Sequence, residues 1–263
     1  MRIGLITPDP GHPLLAAATA LLTAAGGHEV EVLDPDTAPV PGDPADVYLL
    51  KARTPRALAL ARALEAGGAR VVNSAAATGR CQDRTAMAAD ALRAGLPFAP
   101  TRTYASGAHI ALGEAEPAGP LVVKSRHSRK GDVVVRLEGE AQLRDFAAGA
   151  PDEPFVVQDF VPNPGWDHKL WAIGPHVFAA LRRSELSPSA PGGGPVPLAE
   201  LPAGWTGLVR RVGEVFALDV YGVDVIDTGA GRPLIVDVNA FPGIRNQPGA
   251  PEALAALALD PPP

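Results

Sequence analysis

Three oxygen-bearing side chains near the end of the chain, Asp224, Asp237 and Asn239, have the types and spacing to hold a divalent cation. They lie in two apolar runs that read as strands, Gly222-Val223-Asp224-Val225-Ile226-Asp227 and Pro233-Leu234-Ile235-Val236-Asp237-Val238-Asn239-Ala240-Phe241-Pro242-Gly243. Side chains alternate along a strand, so Asp237 and Asn239 share a face. Magnesium takes such hard oxygen donors, keeps part of its water and completes its shell with substrate phosphates. A nucleotide is then the natural partner. The competing reading makes Asp224 a strand-end carboxylate and Asp237-Asn239 a turn-forming pair ahead of Phe-Pro-Gly.

Other groups upstream carry phosphate or acceptor chemistry. Lys124 ends an apolar strand and opens a donor-rich loop, Ser125-Arg126-His127-Ser128-Arg129-Lys130-Gly131-Asp132, where a lysine can act as a point charge on phosphate oxygens. Arg129 and Lys130 also read as a solvated hairpin tip. Gln158-Asp159-Phe160-Val161 leaves another strand, with backbone groups for an adenine edge and Asp159 or a later acid for the ribose. Asp167-His168-Lys169 begins a further strand, and Arg182-Arg183 ends the next. Alternation sends Arg182 and Arg183 to opposite faces, so only one reaches a shared site. Arg245 and Asn246 read equally as an anion-reading pair or a surface turn. His12, His28, His109 and His176 lack metal-ligand spacing and read as surface or loop residues, and Trp171 and Trp205 as core.

These groups need a scaffold, and its elements are visible in the pattern. Ile3–Ile6, a helix from Pro13 to Ala25 closed by Gly26-Gly27, and Glu29–Leu33 form a β-α-β unit. Val47–Leu50, a helix opened by Thr54-Pro55 and closed by Gly67-Gly68, and Arg70–Asn73 continue it as a small parallel sheet. Thr7-Pro8-Asp9-Pro10-Gly11-His12 lacks the spaced glycines of a dinucleotide site. Asp83 caps a helix to about Ala94, and the proline-bounded run to Thr101 sets a lobe boundary near Pro100. From Pro120 the strands look antiparallel, with helices near 140–146 and 205–216 and a Pro/Gly/Ser loop over 187–197. The expected divisions are an α/β domain over 1–100, a small α+β lobe over 101–165 and a large α+β lobe over 166–263. The Asp260-Pro-Pro-Pro tail is expected to fray.

Composition narrows the function classes. With 263 residues and a formal net charge of -6, there is no compositional support for nucleic-acid binding through phosphate neutralisation. Cys81 is the single cysteine, which excludes an internal disulfide framework and fits a reducing compartment, with the cytoplasm as the default. Pro8, Asp9 and Pro10 interrupt the first apolar run, so neither a signal nor a membrane span is expected.

Taken in order, these parts resemble the ATP-grasp superfamily over nearly the whole chain, closest to the RimK-like carboxylate-amine ligases and the ATP-grasp inositol polyphosphate kinases. The resemblance implies an ATP-grasp fold, α/β and α+β, with a small N-terminal parallel domain and two α+β lobes enclosing the nucleotide. It implies ATP and Mg2+ as cofactors, two ions held by Asp224, Asp237 and Asn239, with Mn2+ as a substitute. Arg84, Lys124, Gln158, Asp159, Phe160, Val161 and Asp167 would hold the nucleotide. Lys169 and Arg182 or Arg183 would face the transferred phosphoryl group or the acceptor. Its partners would be a small-molecule or peptide carboxylate and an amine, without nucleic acid or membrane; a homodimer is left open.

Two departures stand out. The loop after Lys124 carries only Gly131 where the family has several glycines, so Arg126, His127, Arg129 and Lys130 replace backbone amides on the phosphates, hold an anionic acceptor, or leave a loose lid. Asp237 stands where the ligases usually carry Glu, which leans towards the kinases. The expected reaction is ATP-dependent joining of a carboxylate to an amine through an acyl phosphate. The alternatives are phosphorylation of a polyol hydroxyl and a non-catalytic nucleotide-binding role. Asp237→Asn is expected to abolish turnover and largely preserve the fold.

Overall fold

The computed structural model describes residues 1–24, 27–114, 117–129, 131–187 and 192–260. Lys130, Gly26 and the terminal prolines lie outside the described residues. Strands β1 (Arg2–Ile6), β2 (Glu29–Leu33), β3 (Val47–Leu50) and β4 (Arg70–Val72) form a parallel sheet in the order β2-β1-β3-β4. Helix α1 (Pro13–Ala24) packs on one face and α2 (Pro55–Ala66) on the other. The α2 ends follow local chemistry: the Thr54 hydroxyl accepts from the Ala57 amide at 3.2 Å, Pro55 starts the first turn, and Gly67 ends the helix. Beyond β4, Ser74 caps the short α3 (Ala75–Arg80) and Asp83 caps α4 (Arg84–Arg93).

The small lobe contains β5 (Arg102–Tyr104), α5 (Gly107–Gly113), β6 (Leu121–Ser125), β7 (Val134–Leu137), α6 (Glu140–Gly149) and β8 (Phe155–Asp159). Its antiparallel sheet runs β5-β8-β6-β7, and α5 and α6 cover one face around Ile110, Leu143 and Phe155. The large lobe contains β9 (Trp166–Ile173), β10 (His176–Arg183), β11 (Gly193–Pro195), α7 (Trp205–Phe216), β12 (Val220–Asp227) and β13 (Pro233–Ala240), with sheet order β11-β10-β9-β12-β13. Helix α8 (Ala250–Leu259) follows.

Packing divides the chain differently from the expected break at residue 100. Met87, Ala88 and Ala91 of α4, with Leu96 and Phe98, share one core with α7 and the large sheet. Leu254 and Leu257 of α8 share a core with α1 and the parallel sheet and also with Trp171, Ile173, Ala180 and Val220 of the large sheet, so this helix bridges the two. An amphipathic helix docks wherever its apolar stripe is covered, and sequence position does not decide that. His12, read as a surface or loop residue, lies in the loop before α1 and is buried there at 7 % exposure.

One polar residue ties the parallel domain to the large lobe. The buried Asn73 amide donates to the Val220 carbonyl at 2.6 Å and accepts from the Asp219 and Val220 amides at 2.8 and 2.9 Å. Asn73→Ala strips both amides of this acceptor and is expected to cost about 2–4 kcal/mol in urea unfolding. A loss below roughly 1 kcal/mol would show that water replaces the side chain.

Candidate active site

Register across the large sheet sets the central geometry. On adjacent antiparallel strands Asp224 lies opposite both Lys169 of β9 and Asp237 of β13, so these three side chains share one face. Asn239 follows Asp237 on that face by alternation, and Asp167 precedes Lys169 in the same way. Across the cleft the small lobe presents Lys124 from the end of β6 and Gln158 to Val161 from the end of β8. All of these residues line one cavity of about 290 Å3, together with Arg84, Arg53, Ser128, Arg129, Asp132 and Asn163. Ala99, Val122, Val134, Phe160, Val161, Ile226, Leu234 and Val236 give it an apolar side.

Its charges are tightly coupled. Arg84, 6 % exposed, donates to Asp132 at 2.7 Å, to Asp237 at 3.1 Å and to the Ser125 carbonyl at 2.8 Å. Lys169 pairs with Asp224 at 2.9 Å and lies 3.7 Å from Asp167. The Lys124 ammonium donates to the Val236 carbonyl at 2.8 Å. Burial pushes the Lys124 pKa down against the pull of Asp237. Burial also raises that of Asp224, more than Lys169 lowers it. Asp237 moves the other way: its burial is outweighed by Arg84 and Lys124, which hold the carboxyl below the usual range. For Lys169, burial is outweighed by Asp224 and Asp167, so the ammonium is held charged.

The loop after Lys124 is clasped to the α4 N-terminus. Arg126 makes a two-pronged ion pair with Asp83 at 2.9 and 2.6 Å, the Ser128 amide donates to the Gln82 carbonyl at 2.9 Å, and Arg129 pairs with Glu153. Two of the bases expected for phosphate or acceptor are thus engaged by carboxylates of the fold. Asp159 is likewise paired with Arg102 at 2.7 Å, and the Gln158 amide donates to the Thr101 hydroxyl at 3.0 Å. Arg136 stacks 3.7 Å over the Phe160 ring.

The two arginines of β10 part company. Arg182 lies opposite Asp167 and therefore on the Lys169 face, but it lines a neighbouring cavity with Arg245, Asn246 and Gln247. Arg183 faces the other way and stacks on Trp166 at 4.0 Å, because alternation denies it the face Arg182 occupies. Three charged groups in the main cavity escaped the sequence reading: Asp132, Arg53 and Glu185. Asp132 carried a signal as the one acid closing the basic loop, and Arg53 as a base just beyond a parallel strand.

The donor set fits a magnesium ion: two carboxylates facing each other across adjacent strands, with an amide one step along, all opening on the cavity. Among the described residues no group of three or more His, Cys, Asp or Glu side chains is placed to hold a metal ion, so an ion here would draw on Asn239 and non-protein oxygens besides the two carboxylates.

The model of the RimK-like ATP-grasp domain matches residues 108–249. A probable alpha-L-glutamate ligase 2 of Hahella chejuensis is 30% identical over 71% of this chain, and the match spans 64% of that relative's length. A probable alpha-L-glutamate ligase of Thioalkalivibrio sulfidiphilus is 28% identical, covering 93% of this chain and 89% of the relative. The crystal structure of a RimK domain ATP-grasp protein from Sphaerobacter thermophilus superposes with a TM-score of 0.79 at 23% identity, over 99% of this chain and all of that one. No described helix is long and apolar enough to cross a membrane. With its two-lobed cleft and a domain match over more than half its length, the chain belongs to the RimK-like ATP-grasp family.

Proposed function

We propose that the protein is an ATP- and Mg2+-dependent ligase that activates a carboxylate as an acyl phosphate and joins it to an amine. The observation that carries this is the single cavity in which an apolar slot, Lys124 and Arg84, and the facing carboxylates of Asp224 and Asp237 converge. Adenine fits against Val122, Phe160, Val161 and Leu234, with the strand end 158–161 along its edge. Arg84, Lys124 and Lys169 attract the phosphates, yet these cations are already matched by Asp132, Asp167, Asp224 and Asp237. A triphosphate entering here needs metal ions with it. Two Mg2+ ions, held by Asp224, Asp237 and Asn239, would neutralise charge on the β- and γ-phosphates.

The chain's own residues position and shield. A carboxylate oxygen of the acid attacks the γ-phosphorus, the bond to the β,γ-bridging oxygen breaks, and ADP leaves. The amine nitrogen then attacks the acyl carbon, inorganic phosphate departs with the bonding pair, and the nitrogen's proton passes to phosphate or solvent. Lys124 and Lys169 stabilise charge on the transferred group. Arg182, one strand further on the same face, takes the acceptor side; Arg183 is given no role. Glutamate, named for the two ligase relatives, is the first substrate to offer. The buried Cys81 thiol, pushed up to about 12 by burial and Asp237, is inert and suits a cytoplasmic enzyme.

Incubation with ATP, Mg2+, hydroxylamine and a panel of carboxylates including L-glutamate is expected to give hydroxamate in step with ADP. ADP with a phosphorylated polyol and no hydroxamate would replace this reading with a kinase. Neither product across the panel would favour a non-catalytic protein.

A further inference from the structure

A second cavity of about 270 Å3 adjoins the first and shares Arg53 and Asn239 with it. Lys51 and Arg53 enter it from the end of β3, Thr78 from α3, and Phe241, Pro242 and Gly243 from the turn after β13. Its place along the nucleotide follows from β13. Leu234, against which adenine fits, and Asn239, in the cation set, lie near opposite ends of that strand, roughly 17 Å apart when extended. The second cavity therefore meets the first at the cation end, where the γ-phosphate belongs. A third cavity, which holds Arg182, meets the second at Gly243. An acid approaching past Arg182 and a second substrate entering beside Lys51 converge on the same point.

The lining of the second cavity is one-sided. Its described residues include Lys51 and Arg53 and no carboxylate, so nothing there holds an ammonium ion, and an amine is admitted as its free base. The Thr78 hydroxyl, on a residue 2 % exposed, has no hydrogen-bond partner and can accept an N–H. Lys51 stands over the Phe241 ring, 5.7 Å from its centroid. The charged groups that face Lys51 are Arg53 and Arg245, which oppose its charge, and the exposed Asp9, which favours it. His12 adds none, because burial, Lys51 and Arg245 all lower its pKa and keep the ring neutral. Burial first and Arg53 next push the Lys51 pKa down to about 8. A guanidinium keeps its proton throughout, so among the described lining residues Lys51 alone can exchange a proton near neutrality.

We infer that Lys51 is the general base of the amide-forming step: the amine enters through the second cavity, its nitrogen set between Thr78 and Lys51, and Lys51 takes its proton in place of phosphate or solvent. The inference rests on the ligase reading and adds a catalytic residue to it. The neutral amine nitrogen bonds to the acyl carbon, the Lys51 Nζ accepts a proton from that nitrogen, and the carbon–oxygen bond to phosphate breaks with its electron pair on phosphate. The Lys51 ammonium then returns its proton to solvent.

The test compares nucleophiles on the full chain with ATP, Mg2+ and the carboxylate that gives most hydroxamate. One nucleophile is hydroxylamine, which is unprotonated at neutral pH; the others are L-glutamate, glycine, ethanolamine and methylamine. Lys51→Met and Lys51→Arg are each expected to slow amide formation about 100-fold or more and hydroxamate formation by less than about ten-fold. At saturating amine the wild-type kcat should rise with pH through about 8 whichever amine is used, because the deprotonated lysine is the active form. In both variants the rise should instead follow the basicity of the amine. Equal losses in the two reactions overturn the inference, and so does wild-type kcat in Lys51→Arg, which would show that positive charge alone is needed. Hydroxamate without amide from any of these amines also overturns it and leaves carboxylate activation standing. No hydroxamate from the wild type removes the ligase reading and the inference together.

Discussion

Asp237→Asn is expected to lower kcat by about three orders of magnitude, because it removes one of two facing carboxylates from the proposed cation set while leaving its shape intact. The structure adds a stability consequence that the sequence did not suggest. Asp237 accepts from Arg84 at 3.1 Å and is the carboxylate that most strongly supports the buried Lys124 charge. An amide in its place keeps a weak acceptor for Arg84 but leaves two buried cations short of a counter-charge. Asp132 remains on Arg84, so the loss falls at the lower end for a broken buried pair, about 3 kcal/mol. The sequence-based expectation of a largely preserved fold is therefore narrowed to a folded but thermally weaker protein. The pH dependence has a definite sign. Arg84 and Lys124 depress the folded-state pKa of Asp237, so its ionised form contributes stability that is lost as pH falls below the usual carboxylate range. The variant should have a flatter acid limb. ADP release and thermal melts of both proteins check this; turnover within about ten-fold of wild type would remove Asp237 from the metal set.

What was legible in the sequence follows from which forces act locally. Thr54-Pro55 and Asp83 mark helix starts through bonds to amides two or three residues away, and such caps need no knowledge of the rest of the fold. Alternation separated Arg182 from Arg183 for the same reason. The common face of Lys169, Asp224 and Asp237 needed strand order as well, and that came from the ordered motifs and not from any one strand. The destinations of α4 and α8 were hidden. Both are short apolar helices whose partners lie far away in sequence, and nothing in Met87 or Leu254 says which sheet will cover it. Lys51 and His12 were hidden differently. Each looks ordinary beside its own neighbours, and each acquires meaning only where the edge of the parallel sheet meets the turn after β13. The loop after Lys124 shows the same limit, since its run of bases does not reveal that Arg126 pairs with Asp83 and Arg129 with Glu153.

Lys124→Met should separate activity from stability, in contrast to Asp237→Asn. Lys124 is 6 % exposed and donates to the Val236 carbonyl at 2.8 Å, and burial lowers its pKa against the pull of Asp237. Methionine fills nearly the same unbranched volume without a charge to desolvate, and Arg84 still neutralises Asp237. In the nucleotide-free protein the melting temperature is expected to stay level or rise. With ATP the loss of a buried point charge on the phosphates should lower kcat/KM by about 100- to 1000-fold. Lys124 and Asp237 interact electrostatically, so their effects should not add. Combined with Asp237→Asn, Lys124→Met should recover part of the lost stability, because it removes one of the two cations that the missing carboxylate had balanced. A kcat/KM within a few-fold of wild type, or a double variant no more stable than Asp237→Asn alone, would show that Lys124 serves the fold and not the phosphates.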